Sequence, residues 1–132
     1  MSITISVIGS NPQHLSKIAA ALPDEADLVT LRTLSGGVLE AAGEVQRDPP
    51  DLLVFDSPGL TEADLALLES SLLASPATAM VLVSPDRSSD FLMRAMRAGV
   101  REVIPSPPPA DALSESLSRH LERLGLQRLG LA

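Results

Sequence analysis

Residues 51–59, DLLVFDSPG, run through four apolar side chains and then close on an aspartate and a Ser-Pro-Gly turn. From Leu52 to Phe55 no position is polar. An amphipathic element would show a polar face, so this is the pattern of a central parallel strand covered on both sides. Asp56 then stands where such a strand leaves the sheet.

Working outward, short β-branched runs alternate with helical periodicity five times. Ile3 to Ile8 reads as a first strand, followed by Asn11 as an N-cap and Pro12 at the first helical position. Leu15, Ile18, Ala19 and Leu22 share one face of the helix that follows, which Pro23 should stop. Leu28 to Leu34 is a second strand. Gly36-Gly37 turns it into a helix striped by Val38, Ala41, Ala42 and Val45, up to Pro49-Pro50. Beyond the opening stretch, Thr61 caps a helix with acids in its first turn and Leu65, Leu68 and Leu72 on its inner face. Met80 to Val83 is the fourth strand, Ser88 to Ala98 the fourth helix with Gly99 at its C′ position, and Glu102 to Ile104 the fifth strand. Residues 111 to 124 form the last helix, with Leu113, Leu117, Leu121 and Leu124 on one face and Gly125 expected to end it. Five βα units with short connections predict a doubly wound α/β domain, its helices on both faces of a parallel sheet. That domain spans residues 1–124; 125–132, GLQRLGLA, falls outside the plan and reads as a linker or a cut end.

Composition narrows the function classes. The 132 residues suffice for one core and are too few for two. Two aromatic residues, Phe55 and Phe91, leave aliphatic side chains to fill that core. The absence of cysteine removes disulfides, thiolate catalysis and cysteine-ligated metals together, and fits a reducing compartment. A net charge of −7 argues against binding nucleic acid or an anionic membrane surface. The charge is uneven: residues 1–66 carry ten acids and three bases, whereas 67–132 carry seven of each. No apolar run is long enough to insert into a bilayer, and MSITISVIGS has no basic leader.

In an open parallel sheet, ligands meet the carboxyl ends of the strands. Gly9, Ser10 and Asn11 stand there after the first strand, Asp56 after the third, Ser84 after the fourth, and Ser106 and Pro107 after the fifth. With Pro50-Asp51-Leu52-Leu53-Val54-Phe55-Asp56, which has PD-x-x-x-x-D spacing, and with Ala98-Gly99, this layout resembles the response-regulator receiver domain. The resemblance implies a flavodoxin-like, CheY-like (βα)5 fold with strand order 2-1-3-4-5. It makes Asp56 the phosphoacceptor equivalent and puts a cis peptide before Pro107.

The pocket departs from the receiver pattern. Gly9 and Ser10 occupy the places of the acidic pair that holds Mg²⁺, Ser106 that of the lysine, and Val103 that of the aromatic switch residue. Phosphoryl transfer to a carboxylate depends on cations that neutralise the transferring group. With those gone, Asp56 reads as vestigial, and no catalytic residue, metal or cofactor is expected, Mg²⁺ included.

A narrower resemblance involves SPDRSSDFLMRAMRAGVREVIPSPPP, residues 84–109. It is similar to the degenerate receiver at the N-terminus of CpaE/TadZ-type pilus-assembly proteins. That family implies a phosphorylation-independent module joined to a ParA/MinD-like ATPase, positioning Flp/tad-type pilus machinery in the cytoplasm at the inner membrane. No G-x-x-x-x-G-K-[ST] occurs in this chain, so the ATPase would follow Ala132. The competing reading is a genuine two-component receiver phosphorylated on Asp56.

Two further features need a reading. His14 and His120 lie on separate helices, at the exposed face or the edge of the apolar stripe, with no acidic or cysteine partner at ligand spacing, and are expected to be solvated or helix-edge residues distant from the sheet's carboxyl edge. On the fourth helix, Leu92, Ala95 and Met96 are expected inward. That leaves Phe91, Arg94 and Ala98 outward with Arg97 and Arg101 beside them, the composition of a contact patch for a partner or a second copy. The plainer alternative has Phe91 folded against its own helix ends and the arginines solvated. Helix 4, strand 5 and helix 5 would form the interacting face.

Overall fold

The computed structural model describes residues 2–22 and 29–128. In chain order the elements are β1 (Ile3–Gly9), α1 (Pro12–Ala20), β2 (Val29–Ser35), α2 (Val38–Arg47), β3 (Leu52–Asp56), α3 (Glu62–Ala74), β4 (Ala79–Ser84), α4 (Ser89–Arg97), β5 (Glu102–Pro105) and α5 (Ala110–Arg128). All strand pairs are parallel, and the sheet order is β2-β1-β3-β4-β5, the flavodoxin-like order that the resemblance implied. Pro23 and Leu28, expected to stop α1 and begin β2, and residues 129–132 lie outside the described residues.

Strand alternation divides the core into two layers. Leu52 and Val54 of β3 join Ile5, Val7, Val81 and Val83 beneath α1 and α5, where Leu15, Ile18, Leu113 and Leu117 meet them. Leu53 and Phe55 point the other way, with Ile8, Met80 and Leu82, against Val45, Leu68 and Phe91 of α2, α3 and α4. Every residue of β3 is buried, as the opening stretch predicted.

The caps follow local chemistry. Asn11 Oδ1 accepts from the N–H groups of Gln13 and His14. Thr61 and Asp64 form a reciprocal capping box on α3. Ser88 Oγ accepts from Phe91 N–H at the start of α4. Gly99 follows α4 with φ +104°, a conformation that a Cβ would strain. The Ser106-Pro107 peptide is cis.

Two expectations are overturned. Gly125 does not end α5, which continues to Arg128. A helical glycine costs only about 1 kcal/mol relative to alanine, and buried Leu124 anchors the turn beside it. The rotation of α4 also differs. Phe91, Ala95 and Ala98 are buried, Leu92 is half-buried, and Met96 is 47% exposed. Two stripes one residue apart both fit helical spacing here. The inward one combines small residues, which let the helix approach the layer below, with one phenylalanine that fills the space at its end.

Candidate functional site

At the carboxyl edge of the sheet, an open cavity of about 750 Å³ lies between the ends of β1, β3 and β5 and the first turn of α1. Asp56 lies at its inner wall and is 5% exposed. Its Oδ2 lies 3.0 Å from Nδ1 of His14, and Oδ1 has no hydrogen-bond partner among the described residues. This corrects the expectation for His14. Asn11 and Pro12 start α1 immediately after β1, so His14 falls in the first helical turn, at the sheet's carboxyl edge. Helical side chains lean toward the helix N-terminus, which carries the imidazole over the end of β3. The signal was present in the sequence as the short spacing from the end of β1 to the cap.

The other expected pocket residues separate. Ser10 and Ser106 line the cavity. Ser84 is buried beside it, with Oγ accepting from Asp86 N–H at 3.2 Å, while its carbonyl accepts from Ser106 N–H. Pro107 is exposed and outside the lining. Gly9 is buried and pairs in register with Asp56; a Cβ built there would stand 3.0 Å from Asp56 Cβ and 3.1 Å from its carbonyl oxygen. No lysine or arginine among the described residues lines the cavity.

The Mg²⁺ ion that the receiver fold implies does not fit these residues. Mg²⁺ takes near-octahedral oxygen ligands, usually with one or two carboxylates. Here a single carboxylate faces the cavity, one of its oxygens is engaged by an imidazole, and a side chain at Gly9 would crowd Asp56. Among the described residues, no group of three or more His, Cys, Asp or Glu side chains could hold a metal.

Away from the cavity, the second histidine also has an acidic partner. His120, 7% exposed, places Nε2 3.0 Å from Glu102 Oε1 and Nδ1 3.2 Å from an Arg123 nitrogen. Neutral imidazole satisfies both contacts, donating from Nε2 to the carboxylate and accepting at Nδ1 from the guanidinium. Burial pushes the His120 pKa down and outweighs the opposing pull of Glu102. Burial would raise the Glu102 pKa, but hydrogen bonds from Ser116, His120 and Arg119 together with the Arg119 charge bring it below the usual carboxylate value.

The expected contact patch on α4 is rebuilt. Phe91 is in the core and cannot serve as a surface anchor. Arg94 is tied to Glu62 of α3 and, at 3.2 Å, to Asp90. Arg97 and Arg101 are exposed, Arg97 lining a depression between α3 and α4 with Glu62, Glu69 and Arg94, and the exposed apolar side chains of α4 are Met93 and Met96. Of the residues expected inward, Leu92 packs against the core and Ala95 is buried, whereas Met96 is turned out.

No family model and no curated protein matches the chain. Solved structures do. A pilus assembly-related protein from Burkholderia pseudomallei is 31% identical at a TM-score of 0.71, with 89% of this chain and 88% of that one covered. A CpaE pilus assembly protein from Burkholderia thailandensis is 32% identical at 0.71, covering 91% and 98%. A response regulator from Thermotoga maritima, 21% identical over 92% and 99% with a TM-score of 0.76, shares the fold.

Proposed function

Because this chain belongs to the receiver-like family of CpaE-type pilus-assembly proteins, we propose that it is a non-catalytic interaction module of pilus assembly that works without phosphorylation. The observation that supports this most is the state of Asp56, whose Oδ2 is engaged by His14 in a cavity with no lysine, arginine or second carboxylate among its described lining residues. A phosphoryl group arriving there would meet no metal and no fixed cation to neutralise its oxygens. Incubated with Mg²⁺ and a small-molecule phosphodonor, the intact protein is expected to keep its mass. A stoichiometric gain of one phosphoryl group, abolished by Asp56→Asn, would show instead a working receiver.

The docking face in this reading is the α4–β5–α5 side, through the exposed Met93 and Met96 of α4, with Arg97 on the flank toward α3 and Arg101 just beyond the helix. Methionine adapts to irregular partner surfaces, and each one fully buried on contact contributes about 1.5–3 kcal/mol. The arginines add orientation toward an acidic partner more than affinity. Such a module acts in the cytoplasm and reaches the inner membrane through its partners; among the described residues no helix is long and apolar enough to cross a membrane. Met93→Asp with Met96→Asp is expected to abolish concentration-dependent association in light scattering while leaving the circular dichroism spectrum unchanged. If wild type stays monomeric at high concentration, self-association is excluded. If binding to the pilus machinery also survives the double change, the face is wrong.

A further inference from the structure

β5 and α5 are joined by a polar network centred on a buried histidine. His120 is 7% exposed and lies between Glu102 of β5 and Arg123, one turn further along α5. Glu102 Oε1 accepts from Ser116 Oγ at 2.6 Å and contacts His120 Nε2 at 3.0 Å, and Oε2 accepts from Arg119 at 3.1 Å. An ionised carboxylate can only accept, so it fixes the tautomer: the ring proton sits on Nε2 and Nδ1 is left as an acceptor. An Arg123 N–H donates to that atom at 3.2 Å. Among the described residues no carboxylate pairs with Arg123, and burial together with the nearby Arg101 charge holds its pKa below the ordinary arginine value. The neutral imidazole is therefore what keeps this guanidinium in place.

We propose that His120 is a proton-controlled latch for Arg123: protonation of the imidazole at Nδ1 releases the Arg123 guanidinium from the β5–α5 network. Imidazolium has two donors and no acceptor, and guanidinium has no acceptor at all. Nδ1–H and the Arg123 N–H would then face each other at 3.2 Å, two like charges with no lone pair between them. Nε2 keeps Glu102 and gains a charge-assisted bond, so the ring stays and the arginine moves. Arg123 is half-buried on a long side chain and reaches water by turning its outer torsions. The charged groups that face His120 are Glu102 from β5 and Arg119 and Arg123 from its own helix, while Arg101, at the approach to β5, acts on Arg123. α1 also packs on α5, but its titratable side chains, His14 and Lys17, take no part in the network. Burial opposes protonation most, Glu102 favours it, and the Arg123 and Arg119 charges oppose it, so the latch opens below the ordinary histidine value. Open, it adds a mobile guanidinium beside exposed Arg101 and changes the charge presented where β5 and α5 meet. The latch involves contacts within one chain and stands apart from the docking proposed above.

The test follows the intact, sequentially assigned chain by proton and nitrogen NMR across pH. Above the transition the His120 ring nitrogens are expected to show the proton on Nε2. Through it, the Arg123 Nε–H resonance should move or broaden with the same midpoint as the His120 ring. Arg123→Met keeps an apolar stem and removes the charge and the donor, and should raise the His120 midpoint, since both the bond that holds the neutral ring and a like charge are lost. Glu102→Gln should lower the midpoint, because the carboxylate is what favours the imidazolium. The wild-type titration needs no substitution, so it decides the matter even where a variant fails to fold. A neutral ring with its proton on Nδ1, an Arg123 resonance indifferent to the His120 titration, or a midpoint unchanged in Arg123→Met would each overturn the latch.

Discussion

Replacing Phe91 with alanine is expected to lower the unfolding free energy by about 3–5 kcal/mol, the range for truncating a buried aromatic side chain. Phe91 is 6% exposed and packs in the layer formed by α2, α3 and α4 against the sheet. It lies in the first turn of a nine-residue helix whose other buried residue is Ala95, too small to refill the space. Against a typical domain stability of about 5–15 kcal/mol, this is a large fraction. Urea denaturation measures it directly: a lowered midpoint with unchanged slope is the expected result. A change within about 0.5 kcal/mol, as for an exposed side chain, would show that α4 is rotated the other way.

Glu102→Ala is expected to cost about 1–3 kcal/mol near neutral pH, because it leaves the buried Nε2–H of His120 and the hydroxyl of Ser116 without their acceptor. The exposed contact with Arg119 adds little. The loss should depend on pH in a defined direction. The folded-state pKa of Glu102 is depressed, so its contribution is present above the ordinary carboxylate range and disappears as pH falls through the folded value. The pKa of His120 is also depressed, so from the ordinary histidine value downward the unfolded chain binds a proton that the folded chain does not. Acid therefore destabilises the protein in two steps of the same sign, the upper from His120 and the lower from Glu102. Denaturation midpoints across this range should fall with pH for wild type, and the gap between wild type and Glu102→Ala should close at the acid end. Because Glu102 pulls the His120 pKa up, the gap first widens through the histidine range; a gap that then failed to close as Glu102 is protonated would contradict the network.

The two histidines mark where sequence reasoning stopped short. Each meets a carboxylate from a distant part of the chain, His14 with Asp56 42 residues on and His120 with Glu102 18 residues back. Spacing rules for ligand and triad motifs examine neighbours along a helix or across a turn. These pairs form because parallel strands and their following helices converge at one edge or along one face. Ser84 shows the reverse. It stands at the end of β4 as expected, and its hydroxyl accepts the N–H of Asp86 two residues on, a local turn of the kind that spacing along the chain can suggest.

By itself the sequence determined what local physics can determine. An unbroken apolar run demands cover on both faces, so LLVFD had to be central. Caps, prolines and glycines set the alternation of five strands and five helices, and short connections restricted the sheet to parallel strands with crossovers. The missing carboxylates and lysine were equally plain, since a residue type is known before its position in space. Only the tertiary structure decided the rotation of α4, because periodicity fixes the spacing of a buried stripe but not its phase when two stripes fit. Packing against α3 and the sheet chose the stripe with small residues and Phe91, and turned the methionines out. The same holds at Gly125, where a modest intrinsic cost gave way to the packing of Leu124, and at Asp56, whose partner was selected by the approach of two chain segments at the edge of the sheet.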